Sequence, residues 1–160
     1  YKYEHLAEQV YGIDKTTRKL CKFYFRLANH QQAHTFVDCY PTSSCYKIYV
    51  DAGCQKANYH RITEAISEEE LIRLFSNIGD YSMVRVPLVA NYRLVIDKAL
   101  DHLPSSSVLI IENIKRDKEA QKYWSELISD LRAGVSFDLY YCGVLFLNND
   151  MVKQSYIVNF

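Results

Sequence analysis

Residues 108–114 of the chain read Val-Leu-Ile-Ile-Glu-Asn-Ile. The four apolar residues at 108–111 form an unbroken run, which is typical of a central strand buried on both faces of a parallel sheet. A helix is predicted next, with six apolar residues at helical spacing: Ala120, Tyr123, Trp124, Leu127, Ile128 and Leu131. Gly134 is well placed to end that helix. A buried strand followed by an amphipathic helix is the repeating unit of an α/β fold.

The same alternation extends through the rest of the chain. Helical patterns cover 20–28, 67–79 and 91–103, and strand patterns cover 35–39, 46–51 and 83–88. Three short strand-like pieces at 135–141, 144–147 and 155–160 close the chain, with turn residues between them. This order predicts an α/β domain with a mostly parallel sheet and antiparallel C-terminal edge strands.

The strands predicted at 35–39 and 46–51 stand unusually close in sequence. A parallel crossover between neighbouring strands needs about a dozen residues or more. These two strands would therefore pair as a hairpin, lie parallel with another strand between them, or have lost a helix that once joined them.

Composition limits the class of protein. The chain has 160 residues, equal numbers of acidic and basic residues (19 each) and no formal net charge. We expect one domain over residues 1–160, with N-terminal helices in 1–30 leading into the sheet. Zero net charge argues against a nucleic-acid binder that works through bulk positive charge, and no apolar run approaches the roughly 18 residues of a membrane span. The five cysteines lack disulfide spacing, and residues at the start lack a signal-peptide pattern, so we expect free thiols and a cytoplasmic location.

The C-terminal half carries a succession of motifs. Residues 108–114 end in Glu112-Asn113-Ile114, a helix with Trp124 follows, and residues 136–146 read Ser-Phe-Asp-Leu-Tyr-Tyr-Cys-Gly-Val-Leu-Phe. Over about a third of the chain, this succession resembles the end of class I S-adenosylmethionine-dependent methyltransferases. In that family a fifth strand ends in a paired acidic or Asp-Asn dipeptide, and an Asp-Leu-aromatic-aromatic-x-Gly-Ile/Val-x-Phe hairpin follows the helix. Residues 91–92 are similar to the family's Asn-His-Arg-Tyr start after strand four, and residues 20–28 to its helix before strand one.

The resemblance implies a Rossmann-like three-layer sandwich with strand order 3-2-1-4-5-7-6 and a cofactor at the carboxyl ends of strands one and two. The family needs a Glu/Asp-x-Gly-x-Gly loop there, because a Cβ would keep the backbone from the ligand. The matching stretch, residues 37–44, reads Val-Asp-Cys-Tyr-Pro-Thr-Ser-Ser, with Asp38 in the acidic position and no glycine. The chain's glycines are too widely separated to form such a loop anywhere: Gly12, Gly53, Gly79, Gly134 and Gly143.

Five residues match cofactor-binding positions of the family. Asp51, after the strand predicted at 46–50, matches the acid that binds the ribose hydroxyls. The others are Asp38, Asn91, Glu112 and Asn113. The stretch 86–90 lacks the acid that the family usually keeps at the end of strand four. Without any family role, Asp38 and Asp51 would be ordinary turn acids, and Glu112 and Asn113 would cap a helix.

The region of the missing loop is rich in cysteine and tyrosine. Cys39, Cys45, Cys54 and His60 cluster in sequence, but without a Cys-x-x-Cys pair we expect no metal site. A Cys39 nucleophile with His60 or His34 as its base is an alternative that the spacing does not select. The tyrosines here, namely Tyr40, Tyr46, Tyr49 and Tyr59, would either fill the emptied cofactor cleft or form an exposed patch for a partner. A sheet face without its helix favours the patch.

Three functional hypotheses remain. The first is a methyltransferase-like domain with a degraded cofactor site, which binds no cofactor, is not catalytic, and acts through a protein partner or self-association. The second is an atypical active S-adenosylmethionine-dependent methyltransferase with an unknown acceptor. The third is a small thiol or metal protein that uses Cys39, Cys45 and Cys54. We expect no nucleic-acid or membrane partner.

Overall fold

The computed structural model describes residues 14–148, 150 and 153–158 of the chain. The helices are α1 (Lys15–Gln31), α2 (Cys45–Gly53), α3 (Glu68–Asn77), α4 (Tyr92–His102) and α5 (Lys118–Ser129). The strands are β1 (Thr35–Cys39), β2 (Asn58–Ile62), β3 (Ser82–Pro87), β4 (Val108–Glu112), β5 (Ser136–Asp138), β6 (Cys142–Phe146) and β7 (Ser155–Ile157). The N-terminal helices expected in 1–30 lie partly outside the described residues, and so does the end of the strand expected at 155–160.

The seven strands form one sheet in the order β2-β1-β3-β4-β6-β5-β7. The first four strands in that order run parallel to one another. Strand β6 runs antiparallel to both β4 and β5, while β7 lies parallel to β5 at the edge. The prediction of an α/β fold with a mostly parallel sheet and antiparallel C-terminal strands is confirmed.

Helices cover both faces of the sheet and make three layers. On one face α3, α4 and α5 pack on the apolar side chains of the central strands, such as Val84 and Leu109. On the other face α1 and α2 pack on the alternate residues of the same strands, such as Met83 and Ile110. Strand β4 is buried along its whole length, as its apolar run predicts.

Local signals in the sequence define several helix ends. Ser67 caps α3 and accepts a hydrogen bond from the backbone N–H of Glu70, as the capping-box pattern predicts. Asp117 caps α5 in the same way, through the N–H of Ala120 at 2.8 Å. Asp14 caps α1 and accepts a hydrogen bond from the backbone N–H of Thr17 at 2.7 Å.

The segment predicted as a strand at 46–51 is the helix α2, so that prediction is wrong. Its β-branched and aromatic residues favour a strand, yet Tyr46, Tyr49 and Val50 are buried at helical spacing against α1 and the sheet. Tertiary burial here overrides the strand propensity. All three connections proposed between strands at 35–39 and 46–51 are therefore wrong, because α2 itself follows β1.

The second strand of the sheet is β2, which the sequence pattern did not reveal. Its residues, Asn-Tyr-His-Arg-Ile, are mostly polar, and Asn58, His60 and Arg61 are exposed. An edge strand buries too little surface to need apolar alternation. Compared with the family order 3-2-1-4-5-7-6, the described residues supply counterparts of six strands, have none beyond β2, and add β7 at the opposite edge.

The C-terminal hairpin places Gly143 directly under Trp124. A Cβ at Gly143 would lie 2.3 Å from the Trp124 ring, so the glycine lets the indole of α5 close over β6. In this chain the glycine of the hairpin and the tryptophan of the helix are therefore in direct contact. Within the described residues, no helix is both long and apolar enough to cross a lipid bilayer.

Candidate functional site

Three charged side chains meet at the carboxyl ends of neighbouring parallel strands. Asp38 of β1, Arg85 of β3 and Glu112 of β4 all project from the sheet face that α1 and α2 cover. Their side chains are almost completely buried, at 0%, 6% and 7% exposure respectively. In open α/β sheets this end of the strands is where ligands bind. These three residues are therefore the centre of the candidate site.

Arg85 joins the two carboxylates. Its Nη1 donates to Asp38 Oδ1 at 2.7 Å, while its Nε and Nη2 donate to the two oxygens of Glu112 at 2.5 and 3.1 Å. The pair with Glu112 is bidentate, which is the strong geometry for a guanidinium and a carboxylate. The sequence patterns above did not single out Arg85. A lone arginine between valines in a predicted buried strand was the available signal, because a buried charge requires a counter-ion.

Tyrosines surround this ion cluster and complete its hydrogen bonds. Tyr24 donates to Glu112 Oε2, Tyr46 donates to Glu112 Oε1 at 3.5 Å, and Tyr59 donates to Asp38 Oδ2 at 3.2 Å. The Arg85 guanidinium also lies 3.8 Å above the centre of the Tyr46 ring, in cation–π contact. Every carboxylate oxygen of the cluster therefore already accepts a hydrogen bond from a protein donor.

Burial controls the ionisation of the cluster. It raises the pKa of Asp38 above its ordinary value, although the Arg85 charge acts in the opposite direction. Burial also raises the pKa of Tyr24, and the nearby Glu112 charge adds to that effect. Burial by itself would lower the pKa of Arg85, but the carboxylates of Glu112 and Asp38 raise it well above normal. The arginine is therefore permanently charged, and the tyrosines remain neutral donors.

One residue of the loop after β1 combines a left-handed backbone with a large side chain. Tyr40 lies two residues after Asp38, at the first glycine position of the family's loop, and has a left-handed φ of 53°. L-residues with a side chain rarely adopt this conformation. The Tyr40 hydroxyl donates a hydrogen bond to Asn91 Oδ1, beyond the end of β3. The side chain thus bridges the ends of β1 and β3, the point of the sheet where β2 lies on one side of β1 and β3 on the other.

The space remaining beside this loop is small. A cavity of about 220 Å³ lies at the ends of β1 and β2, lined by Tyr40, Pro41, Arg61, Ile62, Thr63 and Glu64. Small-molecule sites typically have about 300–1,000 Å³. A larger groove of about 580 Å³ includes Thr35 and Asn58, the first residues of β1 and β2. That groove reaches the amino ends of the strands, the end that this fold class does not use for cofactors.

The remaining predicted site residues are scattered. Asp51 does not follow a strand; it lies in α2 and pairs with Lys47 at 2.6 Å, so the reason for assigning it to the ribose is wrong. Asn91 precedes α4 and accepts from Tyr40. Asn113 is exposed and has a left-handed φ of 68°. Glu112 is at the end of its strand as expected but belongs to the ion cluster.

The tyrosines do not form an exposed patch, so that expectation is wrong. Tyr46 and Tyr49 are buried, and Tyr40 and Tyr59 are half-buried. Among the described residues, no group of three or more histidine, cysteine or acidic side chains is arranged to hold a metal ion. Burial raises the pKa of the Cys39 thiol, which makes it a poor nucleophile.

Comparisons with known proteins agree with this architecture. No protein-family model matches the sequence, and no curated protein matches it. Among solved structures, the MycE methyltransferase from the mycinamycin biosynthetic pathway, in complex with Mg and SAH, superposes with a TM-score of 0.64 at 11% sequence identity. The chain has a methyltransferase-like fold.

The superposition covers 98% of this chain and 51% of MycE, so the chain spans about half the length of that enzyme. An aspartate aminotransferase from Rhizobium meliloti matches at a TM-score of 0.36 and 10% identity, over 79% of this chain and 39% of the aminotransferase. That score is too low to support any argument. At 11% identity, the match with MycE demonstrates the fold alone.

Proposed function

We propose that this domain retains the methyltransferase scaffold, does not bind S-adenosylmethionine, and works by associating with another protein chain, most simply a second copy of itself. The proposal rests chiefly on Tyr40. Tyr40 stands at the first glycine position of the family's cofactor loop, and its hydroxyl donates a hydrogen bond to Asn91 across the end of the sheet. Free cysteines throughout the described residues support the cytoplasmic location that forms part of this proposal.

The ion cluster supports the same conclusion. A cofactor ribose needs carboxylate oxygens that are free to accept hydrogen bonds. The oxygens of Asp38 and Glu112 instead accept hydrogen bonds from Arg85 and three tyrosines, and the two side chains are only 0% and 7% exposed. Breaking the ion pair between Arg85 and either carboxylate would leave a buried charge without its partner, at a cost of about 3–5 kcal/mol. The residues at this position therefore do not fit the cofactor.

Calorimetric titration with S-adenosylmethionine, and separately with its demethylated product, tests the first part of the proposal. We expect no binding up to millimolar concentration and no rise in melting temperature. A true ligand at 100 times its Kd would add about 2.7 kcal/mol of stability. Clear binding below millimolar would refute the proposal and favour the atypical active methyltransferase, for which the glycine-like φ of Tyr40 is the supporting observation.

The outer edge of β2 is the surface that supports self-association. The backbone N–H of Asn58 bonds to His34 O, and Ile62 O accepts from Tyr40 N, both at 2.8 Å. By alternation, the backbone groups of residues 58, 60 and 62 face β1, while those of Tyr59 and Arg61 face outward. Among the described residues no strand pairs with that edge. Unpaired edge groups are a template for another strand.

The strand is suited to pairing with its own copy. An antiparallel pair centred on His60 would place Tyr59 of each copy opposite Arg61 of the other, so that the two residues exchange both backbone hydrogen bonds. The same pairing brings a guanidinium beside an aromatic ring, which is attractive. Like charges would not face each other along the pair, because Arg61 is the charged residue of β2.

Sedimentation equilibrium on three proteins tests this surface. We expect the wild-type chain to dimerise and Arg61→Pro to be monomeric, because proline removes the outward N–H without touching the bonds to β1. Arg61→Ala is the matched control; it keeps the N–H and should retain most of the dimer. A wild-type chain that stays monomeric at high concentration would exclude self-association and leave a different partner protein.

A further inference from the structure

An apolar cavity lies between α1 and the C-terminal strands, on the sheet face that α1 and α2 cover. It has a volume of about 290 Å³, and every described residue that lines it is apolar. From the strand side, Leu139 and Val144 are buried, while the rings of Phe137 and Phe146 are half-buried. None of these residues belongs to the ion cluster or to the edge strand β2, so the cavity is separate from the features described above.

The dimensions of the layers explain why this space is open. Two of the described helices, α1 and α2, pack on this face of the seven-stranded sheet. Seven strands about 4.8 Å apart span roughly 29 Å, whereas two helices of about 10–12 Å diameter cover roughly 20–24 Å. Phe23 and Leu27 of α1 form the helical wall of the cavity. The cavity is therefore the strip of apolar sheet beside α1 that the described helices leave uncovered.

The size and lining of the cavity limit what can fill it. Apolar walls offer water no hydrogen-bond partners, so such a space favours an apolar occupant. An apolar protein cavity of about 150 Å³ binds benzene, and this one is about twice as large, which gives room for on the order of ten carbon atoms. Phe23 and Leu27 lie one turn apart, so the helical wall runs lengthwise along α1. A single hydrocarbon chain fits that shape.

The helix that forms one wall is strongly basic. Among its 17 residues α1 carries five lysine and arginine residues and no aspartate or glutamate. Arg26 is three positions from Phe23, His30 is three positions from Leu27, and both basic residues are exposed. Side chains three positions apart are neighbours on a helix surface. The apolar cavity therefore has positive charge at its edge, which favours a ligand that joins a hydrocarbon chain to an anionic head group.

We propose that this cavity binds a medium-chain fatty acid from solution, with the chain between α1 and strands β5 and β6 and the carboxylate beside Arg26. The lining selects the tail, since a hydroxyl or amide group inside the cavity would lose its hydrogen bonds to water and gain none. The basic helix selects the head group, because it attracts a carboxylate and repels an amine. The volume admits one chain, so a two-chain lipid does not fit.

Calorimetric titration of the full chain with hexanoate, octanoate and decanoate, each below its micelle concentration, tests the tail. We expect one decanoate to bind per chain, and each methylene removed to raise the Kd about fourfold. A wild-type chain that binds no decanoate, or binds all three acids equally, would overturn the proposal.

Octanol tests the head group, because it has the chain of octanoate without the charge. It should bind more weakly than octanoate at low salt, and most of the difference should disappear near 1 M salt, where the Debye length is about 3 Å. Arg26→Gln should raise the Kd of octanoate up to about fivefold and leave that of octanol unchanged. Lys15→Gln is the matched control, since it removes the same charge at the far end of α1 and should change neither Kd.

Two tryptophan variants after β5 locate the site. Val158 lines the cavity and is exposed, so Val158→Trp should fill the opening and abolish binding. Ile157→Trp is the matched control, because successive side chains of a strand point to opposite faces, and it should bind decanoate like the wild type. Circular dichroism confirms that both variants are folded.

Three outcomes would place the ligand elsewhere and overturn the proposal. Decanoate binding that survives Val158→Trp, or that both tryptophan variants abolish alike, would exclude this cavity. Retention of the chain on vesicles of anionic phospholipid without binding of free decanoate would identify a membrane surface instead.

Discussion

Replacing Arg85 with methionine removes the cation that holds two buried carboxylates. Methionine keeps most of the aliphatic bulk, so the packing change is small and the main effect is electrostatic. Asp38 and Glu112 would remain nearly inaccessible to water, with only tyrosine hydroxyl groups to stabilise their charge. Removing one partner of a buried ion pair costs about 3–5 kcal/mol. For a chain of this length we expect the melting temperature to fall by about 6–20 °C.

Urea unfolding followed by far-ultraviolet circular dichroism measures this loss. Arg93→Met is the matched control, because Arg93 pairs with Glu119 at 3.5 Å on the surface, where such a pair contributes about 0–1 kcal/mol. The deficit of Arg85→Met should shrink as the pH is lowered, since the stranded carboxylates take up protons and lose their charge.

A background variant separates charge from packing. When Asp38→Asn and Glu112→Gln are already present, no carboxylate remains to be stranded, and Arg85→Met should cost little or even stabilise the protein. The electrostatic reasoning is refuted if Arg85→Met costs no more than Arg93→Met. It is equally refuted if Arg85→Met costs the same with and without the two carboxylates.

Three further predictions concern single positions. Because the pKa of Asp38 is raised in the folded protein, its protonated form stabilises the fold below the unfolded value of about 3.9, and this contribution is lost as the pH rises. The difference in unfolding free energy between Asp38→Asn and the wild type should therefore move in favour of the variant as the pH is raised from 4 to 7 in urea titrations. A difference that does not change with pH would contradict this. Gly143→Ala should cost about 1–3 kcal/mol by collision with the Trp124 ring, and the loss should be partly recovered in a Trp124→Phe background; equal losses in both backgrounds would exclude the collision. Ala90 is exposed and has a left-handed φ of 52°, so Ala90→Gly should stabilise the fold by up to about 1 kcal/mol, whereas Ala52→Gly inside α2 should destabilise it by about 0.5–1 kcal/mol. Calorimetric melting measures both, and a change of the same sign at both positions would refute the backbone argument.

The strongest sequence signals came from segments that are buried or capped locally. The run at 108–111 predicted β4 because a strand covered on both faces must be apolar throughout. Ser67 and Glu70 predicted the start of α3 because a capping box depends on residues three apart. In both cases, the information needed lies within one short stretch of chain.

The sequence patterns of two segments gave wrong or missing predictions, because the environment of those segments decides their structure. The aromatic and β-branched residues of 46–50 have strand propensity, but a helix there buries Tyr46 and Tyr49 against α1. Strand β2 has a polar sequence, since only one of its long edges is paired. Neither fact can be read from neighbours in sequence.

The candidate site shows the same division. The absence of glycines near Asp38 was visible in the sequence. The ion cluster was not visible, because Arg85 and Glu112 are separated from Asp38 by 47 and 74 positions in the chain, and the strand order alone brings the three together.

By itself, then, the sequence determined the α/β class, the buried centre of the sheet, the C-terminal hairpin and the absence of glycine after β1, because each is encoded by spacing or composition over a few residues. Only the tertiary structure decided that α2 is a helix, that β2 is an open edge, and that an arginine with two carboxylates and three tyrosines occupies the end of the sheet. Those outcomes depend on which distant side chains share a low-dielectric interior, where a buried charge is stable only beside a charge of opposite sign and hydrogen-bond donors or acceptors.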